Sequence, residues 1–101
     1  VAIIDHNKQQ IDGWNWEVMN LEPLGEKWHS FGWHVIEIDG HDFSQILAAF
    51  EQAKQIKGQP TLIIAHTIKG KGVSFMENNL EFHGRAPTPE EAERALKELE
   101  E

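Results

Sequence analysis

The chain has 101 residues, 40% hydrophobic and 26% charged, with a formal net charge of −8 and no cysteine. That length makes one domain or part of one, and the missing thiols exclude a disulfide scaffold or thiolate metal site and fit a reducing, cytoplasmic setting. The acidic balance argues against nucleic acid as a partner, and no apolar run approaches the roughly 18 residues that span a membrane.

"VAII" (1–4) opens the chain as a strand by composition, and a long polar loop is expected over 5–20. Leu21, Leu24, Trp28 and Phe31 recur at helical spacing, so 20–32 reads as a helix stopped by Gly32. "HVIEI" (34–38) is a second strand. Phe43, Ile46, Leu47 and Phe50 form one stripe of a helix over 43–57. Asp42 and Gln45 suit a capping box at its start, and Gly58 ends it. "TLIIAH" (61–66) is apolar at both parities, the pattern of a central strand covered on two faces. A second long loop, 67–87, leads to a helix opening at Thr88. There Pro89 takes the first helical position, Glu91 completes a box, and Ala92, Ala95, Leu96 and Leu99 line one face.

Strands alternating with helices predict an α/β fold with a parallel sheet and flanking helices. Ligands of such sheets gather outside the carboxyl ends of the strands. Both long loops leave from such ends, so Asp5–Asn7 and Thr67–His83 are expected to face one crevice if their strands are neighbours.

Within the first loop, "DHNKQ" offers Asp and Asn oxygens, the hard ligands that magnesium prefers, although the same residues also make ordinary turns. His6 has no ligand-like partner at a metal-binding spacing and reads as solvated or hydrogen-bonded. In "HTIKGKGVSF" two lysines alternate with two glycines straight after a strand. Glycine lets a backbone come close and Lys supplies a point charge for phosphate, although the spacing is not that of a Walker A loop. His83, in "EFHGRAP", titrates near neutrality and can donate to a phosphate oxygen. His29 and His34 read as surface or capping residues. Trp14 and Trp16, alternating in a polar loop, suggest packing at an interface.

Together "IIDHNKQQIDG", "FGWHVIEIDGHD", "PTLIIAHTIKGKGVSFMEN" and "FHGRAP", in this order, resemble transketolases over nearly the whole chain. The chain is similar to the second half of that family's thiamine-diphosphate-binding N-terminal domain, especially where the enzyme is split into two subunits. The resemblance implies a partial thiamine-diphosphate-binding fold. It implies that Asn7 and Gln9 hold Mg²⁺, Asn7 by its side chain and Gln9 by its backbone carbonyl. Ile11 would pack on the aminopyrimidine ring. Lys69 and His83 would contact the diphosphate, with His83 also beside the reacting sugar as the catalytic candidate.

The implied reaction transfers a two-carbon ketol unit from a ketose phosphate to an aldose phosphate, as in the pentose phosphate pathway. The implied partners are sugar phosphates, the rest of the N-terminal subunit, and the pyrimidine-binding C-terminal subunit. The family's metal motif opens with GDG, which is absent here and expected upstream of Val1. Residues 1–101 are therefore expected to be the C-terminal part of the domain, a fragment that neither holds cofactor firmly nor turns over substrate. A partial sheet also implies an unpaired edge, apolar surface and self-association into a homo-oligomer. Two other readings compete: a related thiamine-diphosphate enzyme (1-deoxyxylulose-5-phosphate synthase or a 2-oxo acid dehydrogenase component), and a non-catalytic module docking through Trp14 and Trp16.

Overall fold

The computed structural model describes residues 1–100. In chain order they form β1 (Ala2–His6), β2 (Gln9–Gln10), β3 (Gly13–Trp14), α1 (Asn15–Val18), α2 (Leu24–Ser30), β4 (His34–Asp39), α3 (Phe43–Gln55), β5 (Thr61–His66), a 3-10 turn (Leu80–His83) and α4 (Pro89–Leu99). They divide into two compact units. A sheet unit comprises residues 1–7 and 19–67, and a loop unit comprises residues 8–18 and 68 onward.

In the sheet unit β5 lies between β1 and β4 and runs parallel to both, as its two-sided apolar pattern predicts. Leu62 and Ile64 turn to one face, where Leu24 of α2 covers them with Ile4, Val35, Trp28 and Trp33. Ile63 turns to the other, against Ile36, Ile38, Ala49 and Ile46. Leu62, Ile63 and Ile64 are the largest fully buried side chains. Truncating one of them to Ala costs about 2–5 kcal/mol on the scale of buried aliphatic deletions.

The strands run further than their apolar letters. β1 continues through Asp5 and His6 because both pair with β5, opposite Ala65 and His66. The helix expected over 20–32 is shorter. The Asn20 side chain accepts the Glu22 N–H (3.1 Å) in a turn, and Pro23, with no N–H to give, caps a helix that starts at Leu24. Leu21 and Phe31 therefore lie outside the helix and are exposed. Its end is a Schellman motif: Trp33 N–H reaches Trp28 O (3.2 Å) and Gly32 N–H reaches His29 O (2.9 Å). Gly32 has φ +88°, and Trp28 meets Trp33 edge-on across the motif.

Asp42 caps α3 by accepting the N–H groups of Ser44 and Gln45. Gln45 does not close the expected box; its Oε1 takes the Asp39 N–H instead (2.8 Å). The expected stripe on α3 also divides. Ile46, Ala49 and Ala53 approach the sheet, while Phe43 (81% exposed), Leu47 and Phe50 point outward. Small alanines let the helix settle close to β-branched strands, and the bulky residues lie beyond that contact.

The loop unit gives the two expected loops structure of their own. β2 and β3 pair as a small antiparallel hairpin, α1 follows, and Trp14 stacks on Trp16 at 4.8 Å and 10°. Gln9 Nε2 donates to Asn78 O (2.9 Å), joining the hairpin to the segment after β5. α4 has the full Thr88–Glu91 capping box with Pro89 at its start. Its inward face is not the expected one. Ala95 is buried, whereas Leu96 (62%) and Leu99 (60%) are exposed. Ser74 takes the Glu98 carboxylate, and the Thr88 cap and Arg85 take that of Glu91.

Among the described residues, no helix is long and apolar enough to cross a membrane.

Candidate functional site

The carboxyl ends of the three parallel strands are stitched together. The Thr67 hydroxyl donates to the Asp5 carboxylate, Thr67 N–H to His6 O (3.3 Å), and Gly40 N–H to His66 O (2.8 Å). Gly40 is held so close that a Cβ there would lie 2.5 Å from the Thr67 methyl. β1 and β5 are neighbours, which meets the condition for their two loops to start side by side.

His6 is buried and hydrogen-bonded, through Nε2, to Glu22 Oε1 at 2.9 Å. The Leu24 N–H bonded to Oε2 (3.0 Å), and after it the His6 hydrogen bond, hold the Glu22 carboxyl below its ordinary range. The His66 ring stands edge-on to His6 at 5.4 Å, with its own Nε2 at 3.1 Å from Glu37. Both histidines thus serve to tie strand ends to neighbouring segments. No group of three or more His, Asp or Glu side chains among the described residues is placed to hold a metal.

Asn7 is the half-buried last residue of the first stretch of the sheet unit. Lys8 then turns the chain with φ +65°, a left-handed conformation uncommon for a residue with a side chain. The turn is pinned where Lys8 O accepts the Asn15 N–H (2.8 Å). Gln9, Ile11, Lys69 and His83 all belong to the loop unit. Gln9 Nε2 is committed to the Asn78 carbonyl, and the Gln9 side-chain oxygen is buried. Ile11 stands at the hairpin tip, 67% exposed.

The two lysines of "KGKG" are not equivalent. Glu77 lies 4.0 Å from the Lys71 ammonium and also accepts the Gly72 N–H (3.1 Å), so Lys71 has a carboxylate partner within the loop. Among the described residues no carboxylate pairs with Lys69, whose backbone oxygen holds the Asn78 N–H (2.9 Å). Gly70 makes the turn between them possible. It has φ +76°, and a Cβ would stand 2.5 Å from Met76 O. The residue pattern by itself treated the lysines alike, and only the family resemblance singled out Lys69, because a Lys–Glu pair six residues apart across a glycine-rich turn has no regular period.

His83 ends the 3-10 turn with an exposed ring, and Asn79 caps that turn by accepting the Glu81 N–H (3.1 Å). Beyond it, Arg85 forks onto Glu91 at 2.8 and 3.1 Å and lies over the Phe82 ring at 4.3 Å. The Arg85 fork, then the Thr88 N–H, lowers Glu91 to about 2. Sequence reasoning saw Glu91 only as a cap and passed over Arg85.

Within the loop unit, an ammonium with no carboxylate partner among the described residues, an exposed imidazole and glycines that let the backbone come close are groups of the kinds that suit a phosphorylated ligand.

The family model described as "Transketolase, thiamine diphosphate binding domain" matches residues 1–99. The chain is 50% identical over 100 residues to the 6-deoxy-6-sulfo-D-fructose transketolase subunit SqwG of Clostridium sp. (strain MSTE9). That match covers 99% of this chain and 36% of that protein. It is 44% identical over 101 residues to an apulose-4-phosphate transketolase subunit of Phocaeicola vulgatus, across all of this chain and 36% of that relative. The crystal structure of Campylobacter jejuni transketolase superposes with a TM-score of 0.86 at 34% identity, over 94% of this chain and 15% of that one. The chain thus spans about a third of the length of these subunit relatives. It belongs to the transketolase family, within the N-terminal, thiamine-diphosphate-binding domain.

Proposed function

We propose that this chain is part of a transketolase that moves a two-carbon ketol unit from a ketose phosphate to an aldose phosphate. Thiamine diphosphate with Mg²⁺ is the cofactor, and a second, pyrimidine-binding subunit completes the enzyme. The observation that carries this reading is Lys69, a lysine left without a carboxylate while its neighbour Lys71 is paired with Glu77.

Thiamine diphosphate, when bound, supplies the carbon centre that accepts the ketol unit. The protein's part is placement and charge. The Asn7 side-chain oxygen and the Gln9 carbonyl would hold the metal. The Lys69 ammonium and the His83 ring would offset diphosphate charge, each as a hydrogen-bond donor. Ile11 would present an apolar surface to the aminopyrimidine. His83, whose ring is exposed, would also face the donor sugar and hold a proton at a ring nitrogen. The relatives bearing subunit names support a partner subunit here. They are named for different sugars, a sulfo-fructose and apulose-4-phosphate, so the donor is tested rather than assumed.

The test is transfer itself. The full natural protein, with its partner subunit, cofactor and Mg²⁺, is incubated with an aldose phosphate and either a ketose phosphate or a ketose sulfonate. A two-carbon extension of the acceptor, seen by mass spectrometry, is expected. If no donor extends any acceptor while cofactor binds, the reaction is wrong. If cofactor does not bind, the site is wrong.

A further inference from the structure

The two residues proposed to meet the diphosphate lie on different segments of the loop unit, and one helix grips both segments. At its first turn, Glu91 of α4 receives the Arg85 fork and the Thr88 N–H (2.8 Å). Arg85 lies against the Phe82 ring and sits 3.7 Å from Glu81. His83 is therefore bracketed, with Glu81 and Phe82 before it and Arg85 after it drawn to one guanidinium.

Two turns further along α4, Glu98 accepts both Ser74 N–H (2.5 Å) and Ser74 Oγ–H (2.8 Å). On the intervening turn, Arg94 lies 4.7 Å from the centre of the Phe75 ring. Leu99 limits the space at Gly72, where a Cβ would stand 3.1 Å from its methyl. These contacts fix the far end of the loop that carries Lys69. Glu91 and Glu98 are seven residues apart, about 10 Å along a helix axis. A rigid element of fixed length thus sets the spacing between the two segments. Both carboxylates lie below their ordinary range, Glu91 because of the Arg85 fork and Glu98 because of the Ser74 N–H, so both remain charged at neutral pH.

We infer that Glu91 and Glu98 of α4, with Arg85 and Ser74, are positioning residues that set the distance between Lys69 and His83 and so make the site selective for a diphosphate over a monophosphate. None of the four is among the residues proposed to contact the ligand. The inference rests on the proposed roles of Lys69 and His83. It adds that a helix outside the contact set decides how many phosphates the pair can span.

The test measures thiamine diphosphate and thiamine monophosphate affinities, with Mg²⁺, by calorimetry on the full protein with its partner subunit. The readout is the ratio of the two dissociation constants. Arg85→Lys keeps the charge but loses the fork, and Ser74→Ala leaves Glu98 without its hydroxyl partner. Each is expected to lower the ratio about tenfold, the scale seen when a group that orients a ligand-binding residue is lost. Thermal midpoints should stay close to wild type, because these contacts lie at the surface. The exchange of Arg85→Glu with Glu91→Arg should restore part of the ratio. Lys69→Ala and His83→Ala serve as controls for the underlying reading. If these controls leave the ratio unchanged, the site assignment fails and the inference with it. If they collapse the ratio while Arg85→Lys and Ser74→Ala preserve it, the site stands and the positioning role is overturned. A Ser74→Ala or Arg85→Lys protein that weakens both ligands equally also overturns it, since that would mark a general structural defect.

Discussion

At the scale of single residues, histidine chemistry in the sheet unit is structural. His6 is buried with one hydrogen-bond partner, Glu22, whose other oxygen holds the Leu24 N–H at the start of α2. Glu22→Ala would strand the His6 ring and free that N–H. Because Glu22 is itself largely exposed, the loss should be about 1 kcal/mol, at the lower end for an unmade buried hydrogen bond. Urea unfolding monitored by tryptophan fluorescence measures it. Glu22→Gln, which keeps the shape and one acceptor oxygen for the Leu24 N–H, should recover part of it. The Glu91 carboxyl gives a second residue-scale prediction, with a definite sign. Its folded value of about 2 lies below the ordinary 4.5, so its contribution to stability is present above about 4.5 and lost as pH falls toward 2. Between pH 5 and pH 3 the wild-type melting temperature should drop further than that of Glu91→Gln, measured by calorimetry in matched salt.

At the scale of elements, legibility in the sequence followed how local each signal is. β5 was readable because six successive residues carry the pattern of a strand covered on both faces. The start of α4 was readable because a Thr-Pro-x-Glu box involves only neighbours. Gly32 was readable as a stop because a left-handed residue after a helix is glycine's natural place. Helix faces were read less well. On α3 and α4 the sequence shows which residues are apolar, but not that Ala49 and Ala95 make the close contacts while Phe43 and Leu96 stay out. That choice depends on what each helix packs against, which lies far along the chain. The pairing of Lys71 with Glu77 was unreadable for the same reason, and only the family resemblance set Lys69 apart. The turns themselves are testable. Gly32→Ala should cost about 1 kcal/mol, the usual penalty for a side chain at such a cap. Gly70→Ala should cost more, because its Cβ meets fixed backbone at Met76 as well as a left-handed φ. Paired denaturation curves of the two variants check the order.

At the scale of the whole molecule, a family match over residues 1–99 sits beside an unusual amount of uncovered apolar surface. Phe43, Leu47, Phe31, Leu96, Leu99 and Trp16 are each more than half exposed. Surfaces of this kind are found where other protein normally packs. Since the chain spans about a third of its subunit relatives, the expectation for the 101 residues studied in isolation is self-association. Light scattering should report a mass above one chain that falls when Phe43 and Leu47 are replaced by Ser. A monodisperse monomer of 11.6 kDa at high concentration would show that these faces are content in water. The central claim, however, concerns the loop unit and Lys69 within it, and it is reached most directly by calorimetric titration of thiamine diphosphate and Mg²⁺ into the full protein with its partner subunit. Lys69→Ala should weaken binding at least about tenfold, equivalent to 1.4 kcal/mol, whereas Lys71→Ala should change it by less than about twofold. Equal losses from the two variants, or none from Lys69→Ala, would contradict the account.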